Sequence, residues 1–420
     1  MKGFFLKGSI LNIDRFFRQS LFIVAALSVL TASTGGLLVG MGFHIGIIRN
    51  FFVLILLFFF LIYQKFENNL VNRSVLLLSI YLLLLIPFSS NPSNSLYAGY
   101  LRMIPHMLMF LVAFKYIKSY KSLYQLSFLY AILLSPVVIN MIIGQAFFIG
   151  HSAYVEGTFY LGYSRIGITN LIPVMILFSL IYVIKNRKNK LTMFVFYVFI
   201  SISIVFILFT MKRTGLVALL ISFTIFFIYM PGKPKSFVTV VFASLIIGGV
   251  LSVTGTFDSI FKPRYEARVG ENRPIEEEGR TKDIQYSVIE FVEGDIWHKL
   301  FGSELFNSQQ FFGPKYYGRE RMIHGDLTKI FYGAGIVGLL LYLNVFRSLF
   351  LFYKNIFKFL PKSRDLFLYR AVFNGILFSY FAMLVPGVGQ SATSITYIAL
   401  GAIMGANYHE LRKHSQPDED

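Results

Sequence analysis

Apolar runs of bilayer length follow one another along almost the whole chain, and no other feature restricts its fold so severely. A bilayer core is about 30 Å thick, so each helical span needs roughly 20 mostly apolar residues. Runs of this kind occur near residues 21–39, 47–63, 75–88, 96–117, 124–147, 166–184, 191–210, 215–230, 237–253, 327–346, 366–386 and 391–408. The expectation is an all-α integral membrane protein of about twelve transmembrane helices, with residues 1–420 forming one membrane domain. Composition agrees, since 55% of the chain is hydrophobic, 17% aromatic and only 14% charged, which is too apolar for a soluble protein. The basic, Phe-rich lead "MKGFFLKGSILNIDRFFRQS" reads as an interfacial amphipathic segment feeding a retained first span rather than as a cleaved signal peptide.

The formal charge of +18 acquires meaning only from where the charges fall. Every second connection is basic: Lys65 and Arg73; Lys115, Lys118 and Lys121; "KNRKNK" at 185–190; Lys233 and Lys235; and Arg347, Lys354, Lys358, Lys362 and Arg364. The intervening connections, such as "SSNPSNSLYAG" and "PGVGQSA", are uncharged. Lys and Arg mark cytoplasmic loops, so both termini are expected in the cytoplasm, and the surplus charge is an orientation signal rather than a nucleic-acid footprint. The chain contains no cysteine, which excludes disulfides and thiol catalysis.

One long polar segment, 254–324, is expected on the outer side, with ten Lys or Arg against twelve Asp or Glu. Within it Ile284, Val288, Phe291 and Val292 recur at helical spacing, followed by "DIWHKLFG" with the sole tryptophan, Trp297. These residues predict one or two helices packed on the spans as a cap. No internal repeat is evident.

This topology makes "FTMKRTGL" an exception, because Lys212 and Arg213 fall on the face that short loops keep free of cations. Arg49, Arg102, Arg165 and Lys329 lie near outer span ends as well, while outside the long loop only Glu156 and Asp326 oppose them. Each cation alone is open to two readings, a side chain snorkelling to headgroups or a ligand contact. As a group they suit a phosphate-bearing substrate of the outer leaflet, because guanidinium pairs bidentately with phosphate oxygens.

His324 lies where the long loop meets the next span, and a neutral imidazole there is a candidate general base. The other reading is an interfacial polar residue beside Asp326, which would N-cap the helix. The span that follows contains Gly333-Ala334-Gly335-Ile336-Val337-Gly338, formally G-x-G-x-x-G. Without a preceding strand it reads as small residues permitting close packing, not as a dinucleotide site. Glu276-Glu277-Glu278 reads as a solvated face, and no D-x-D or clustered His motif appears, so no metal and no cofactor are expected. The spans hold no interior Asp or Glu, which argues against an ion-coupled pump.

In their order and placement these motifs resemble the O-antigen polymerase and O-antigen ligase superfamily of bacterial envelope glycosyltransferases. "KRTGL" resembles that family's outward Arg-Thr-Gly motif and puts Arg213 at its arginine. "EGRTKDI…DIWHKLFG" resembles its loop helix and following turn, with Arg280 at the loop arginine. His324, followed by ten residues and then Gly335, is similar to its histidine-to-glycine pattern, and "YSRIGITN" more loosely resembles an Arg-Gly-Asn segment, giving Arg165, Gly167 and Asn170. Many relatives have Asn after the histidine, where this chain has Gly325. The resemblance covers roughly residues 164–342.

It implies a GT-C-like architecture in the bacterial inner membrane, with a metal-independent, inverting site facing the periplasm. His324, Arg213 and Arg280 would be catalytic there, while Arg165, Lys212, Asn170, Asp326 and Lys329 would bind diphosphate or sugar. The substrates would be undecaprenyl-diphosphate-linked oligosaccharides, and a chain-length regulator protein is a candidate partner. The implied activity is polymerisation of O-antigen or a related surface polysaccharide. Ligation of polymer to lipid A core is the alternative, and a lipid-linked oligosaccharide flippase is the alternative of another class.

Overall fold

The computed structural model describes residues 6–64, 67–150, 161–164, 167–186, 189–210, 212–230, 279–387 and 390–415, with isolated positions between 244 and 262. Among these the secondary structure is helical, without a strand. The main helices are α1 (Leu6–Ser33), α2 (Ile45–Tyr63), α3 (Leu70–Leu85), α4 (Leu101–Tyr116), α5 (Tyr120–Phe147), α6 (Ile168–Lys185), α7 (Lys190–Thr210), α8 (Arg213–Tyr229), α9 (Gly279–Glu293), α10 (Asp326–Phe359), α11 (Arg364–Leu384) and α12 (Gln390–Ser415).

Among the described residues nine helices are long and apolar enough to cross a membrane, and each coincides with an expected span. α8 is apolar but only 17 residues long. The expected span 391–408 lies in α12, and 237–253 falls largely outside the described residues. The first expected span divides at Thr34: α1 ends at Ser33, and a separate short helix, Gly35–Gly40, follows. The Ser33 carbonyl accepts from Asn140 Nδ2 at 2.7 Å and Ser164 Oγ at 3.1 Å, partners outside the helix ladder.

α6 stands at the centre, with 94% of its apolar window buried. α5, α8, α11 and α12 pack around it, α10 packs on α3, and α4 packs on α12. The contact between α4 and α12 depends on Gly401 and Gly405. A methyl at Gly401 would stand 2.6 Å from the Phe110 carbonyl oxygen, and one at Gly405 would meet Phe114. Small residues four apart let the two backbones approach closely, which is how helices associate without a hydrophobic driving force.

The start of α1 and the end of α12 share one end of the bundle. There Lys118 pairs with Asp14 at 2.7 Å, Lys185 with Asp365 at 2.8 Å, and Tyr120 donates to Asn407 at 3.1 Å. Among the described residues Lys115, Lys118 and Lys185 gather at this end. The opposite end carries the starts of α2, α4, α6, α8, α10 and α12 together with the segment 279–325, and every described candidate residue lies there.

α10 is not continuous. Gly335 has φ +64° and ψ −165°, which breaks the helix within its third turn. The carbonyls freed at the break find partners outside the helix: Tyr332 O accepts from Ser303 N–H at 2.9 Å and Ala334 O from Tyr81 Oη at 2.8 Å. A side chain at Gly335 would collide with the Leu300 carbonyl, and one at Gly302 with Ala334. The glycines here therefore permit close packing as expected: Gly333 and Gly335 seat the chain that follows "DIWHKL", while Gly338 lies against Tyr81 of α3. Gly335→Ala is expected to cost about 2 kcal/mol or more, combining left-handed strain with loss of this seat. A lowered midpoint of thermal unfolding in detergent is the measurement.

Candidate functional site

The cap is built from α9, a short helix at Ile296–Phe301, and another at Phe312–Tyr317. Its faces reverse the sequence expectation. The buried residues of α9 are Asp283 and Ser287, while Ile284, Val288 and Val292 of the apolar stripe are exposed. Of that stripe only Phe291 turns inward, its ring 5.1 Å from that of Phe331 on α10. Trp297 is exposed and stacks on Phe301. Further along, Asn307 fixes the cap to the connection between α3 and α4: its Nδ2 donates to Asn91 O at 3.1 Å and Ser95 Oγ at 3.0 Å. Glu304 accepts from the Ser90 N–H at 3.0 Å.

Asp283 explains why a polar face of α9 is buried. Its carboxylate is 1% exposed and accepts from Tyr317 Oη at 2.7 Å, pairs with Arg321 at 3.4 Å, and accepts from the His324 backbone N–H at 3.4 Å. The Arg321 guanidinium also lies over the Tyr317 ring, 4.1 Å from its centroid. Arg280 stands one turn before Asp283 on the same face of α9. A carboxylate three residues after Arg280 therefore fastens both the arginine's helix and the histidine's backbone to one point.

His324 is exposed at the junction of cap and bundle. Partial burial is the largest effect holding its imidazole below the usual histidine range; Arg321, Lys329 and Arg280 add to it, and Asp283 opposes. The imidazole is thus neutral at neutral pH, able to accept a proton, and surrounded by cations. The turn that follows needs two glycines. A side chain at Gly325 would strike the Val385 carbonyl, and Gly387, at φ +96°, abuts the His324 carbonyl. Gly325 rather than Asp326 occupies the N-cap position of α10. Asp326 sits in the first turn, where its charge complements the helix dipole, and pairs with Lys329 at 3.6 Å.

Arg213 begins α8 and is exposed, whereas Lys212, the residue before the helix, is buried. The next residue, Thr214, donates to Asn170 Oδ1 at 3.4 Å, and Asn170 Nδ2 donates to Gly387 O at 3.2 Å. Buried Asn170 therefore links the start of Arg213's helix to the glycine turn against His324. Arg165 and the Glu276-Glu277-Glu278 run lie outside the described residues.

The structure thus brings His324, Arg280, Lys329 and Asp326 together beneath the cap and connects Arg213 and Lys212 to them through Asn170. Sequence reasoning missed Asp283, Tyr317 and Arg321. An acidic residue three positions from a cation on a helix usually signals a solvated pair, so spacing alone gave no cue to its burial. Comparison with protein-family models and with curated proteins finds no match for this chain.

Asp283→Ala leaves the Arg321 cation and the Tyr317 hydroxyl without their shared acceptor, at an expected cost of about 3 kcal/mol. Limited trypsin digestion should then cut between Gly279 and Arg321 markedly faster than in the unmodified protein, and equal rates would contradict this account of the cap.

Proposed function

We propose that this protein is a metal-independent, inverting glycosyltransferase that polymerises undecaprenyl-diphosphate-linked oligosaccharides into O-antigen or a related surface polysaccharide. The observation that carries this reading is the seating of His324 where cap meets bundle, its backbone tied to the Asp283 that also pairs with Arg321, with Arg280 and Lys329 close enough to act on its imidazole, at one end of an apolar helical bundle. A base with fixed positive charge around it suits attack by a hydroxyl on a sugar whose leaving group is a diphosphate.

In this mechanism the acceptor hydroxyl attacks the anomeric carbon as His324 takes its proton. The bond from that carbon to the diphosphate oxygen breaks, and the lipid diphosphate leaves with the electron pair. Charge grows on the departing diphosphate, so Arg213 and Arg280 act where stabilisation increases in the transition state. So stable a leaving group needs no general acid. Arg165 and Lys212 assist in holding it, Lys329 supplies field while paired to Asp326, and Asn170 fixes the spacing between the arginine and histidine sides. The GT-C-like architecture, twelve spans, inner-membrane location with cytoplasmic termini and a periplasmic His324 end belong to the same reading, as does a chain-length regulator as partner.

In a cell-based assay His324→Ala and Arg213→Ala should each abolish chain extension while the protein still reaches the membrane; normal extension in either variant removes that residue from the mechanism. Purified protein given lipid-linked repeats should yield longer lipid-linked chains. Transfer only onto a core acceptor would indicate a ligase instead, and movement without new bonds a transporter.

The pH dependence follows from the direction of the His324 shift. A base whose pKa lies below the ordinary 6.5 stays deprotonated as pH falls through that value, so activity is retained there and lost only further into acid. Chain extension in membranes measured across pH should show its acid limb below 6.5, and a limb above it would contradict this assignment.

A further inference from the structure

The end of the bundle that carries His324 holds a second basic pocket, which the mechanism above leaves unused. A cavity of about 440 Å³ opens between α1, α2, α4, α6 and α12, and its lining includes His44, Arg49, Asn50, Arg102, Gly167 and Ser391. None of its described lining residues is acidic. Arg49 is 2% exposed, yet its guanidinium is held by neighbours on two helices. Nη1 donates to Ser391 Oγ at 2.6 Å, while Nε and Nη2 donate to Asn50 Oδ1 at 3.2 and 2.9 Å. Asn50 Oδ1 also meets Nε2 of buried His106 at 3.1 Å. That oxygen can only accept, so Nε2 carries the imidazole proton and Nδ1 accepts from the Ser394 hydroxyl. Residues of α2, α4 and α12 thus fix one guanidinium in a set orientation at the cavity wall.

Other groups converge on the same space. Arg102 is exposed, and the first turn of the 19-residue helix α2, Ile45 to Ile47, forms part of the lining. The N–H groups of Ile45 and Gly46 precede the helix ladder, which begins with Ile47 N–H donating to the His44 carbonyl at 2.8 Å, and His44 makes no side-chain cap bond. Two guanidinium groups, a helix start and a serine hydroxyl suit an anion with several oxygens, namely a phosphate or diphosphate. The rim points to a lipid-borne one. Val39 and Ile47 line the cavity and are exposed, and Ile47 heads an exposed apolar stripe through Phe51, Ile55 and Phe58 along α2. A prenyl chain attached to the headgroup could lie along that stripe.

We infer that this cavity binds the diphosphate headgroup of a second polyprenyl-linked oligosaccharide, the acceptor that keeps its lipid. The identity of the acceptor rests on the proposed reaction. Joining two lipid-linked units requires two diphosphates to be held at one membrane face, of which only one departs. Arg213 and Arg280 hold the departing one, and Arg49 and Arg102 hold the other.

The test uses the full chain in lipid nanodiscs titrated with undecaprenyl diphosphate, with bound lipid counted by native mass spectrometry. Two lipids per chain are expected. Arg102→Gln should weaken one of them about tenfold or more, as loss of a charge-assisted hydrogen bond does, and Arg213→Ala should weaken the other. Arg102 is exposed, so its substitution reports on binding without threatening the fold, and Arg49→Gln should reproduce the effect where the chain still folds. Undecaprenol should not bind, and neither inorganic pyrophosphate nor phosphatidylglycerol at equal concentration should displace the bound lipid. Two tightly bound lipids in Arg102→Gln overturn the inference, as does equal displacement by pyrophosphate, which would mean a free-anion site, or by phosphatidylglycerol, which would mean a general anionic-lipid site. If Arg102→Gln loses its lipid but the unmodified protein never extends a chain, the site stands and the polymerase reading falls. Extension by a protein that binds a single lipid leaves the reaction standing and removes the site.

Discussion

The buried carboxylate of Asp283 is the interaction on which the arrangement at this end of the molecule depends. A charge so enclosed is tolerable only when donors surround it, and here they come from three places: Tyr317, Arg321 and the backbone of His324. Because all three meet one side chain, α9, the segment before α10 and the histidine itself share a common anchor. Breaking any one contact would loosen the position of the others. The downward shift of the His324 imidazole is set at the same place, by partial burial first and then by Arg321, Lys329 and Arg280, with Asp283 opposing.

A second anchor holds the cap to the bundle from below. The break in α10 at Gly335 makes room for Leu300 to Gly302, and Asn307 and Glu304 fasten the following turn to the connection after α3. The cap is thus seated at two points, one polar and one made of backbone against backbone. Neither uses the apolar stripe of α9. Apolar periodicity in a surface helix ordinarily marks the face turned toward a core, and here that face stays outside while Asp283 and Ser287 turn in.

The fold was legible in the sequence to the extent that it is dictated by hydrophobic run length. Nine expected spans coincide with long apolar helices because, for a stretch such as 47–63, length and composition leave little alternative. α12 could be anticipated by position, although its glycines, serines and alanines lower its hydropathy; what keeps it in the bundle is contact with α4, a property of the pair of sequences. For the site, His324 and Lys329 are close in sequence at the start of one span, and Arg280 was joined to them only by resemblance. The supports had no such cue. Asn170 looked like a ligand contact by resemblance and is buried as a bridge to Gly387, and Arg49 is tied to Ser391, hundreds of positions away, while its neighbour Asn50 meets His106. Hydrogen bonds of that kind carry no local periodicity, so only the folded chain displays them.

The near-complete enclosure of α6 has a consequence for how such a protein meets different membranes. Helices in contact with lipid tilt or shift when the hydrocarbon layer is thicker or thinner than their apolar length. α6 is surrounded by other helices along nearly all of its window, so that mismatch is absorbed at the periphery, by helices such as α2 and α3 with broad lipid-facing surfaces. Asn170 at its tip, bonded to Gly387 and to the start of α8, is therefore positioned by contacts between helices rather than by an exposed apolar surface. The central helix acts as a mast, stayed on all sides by its neighbours.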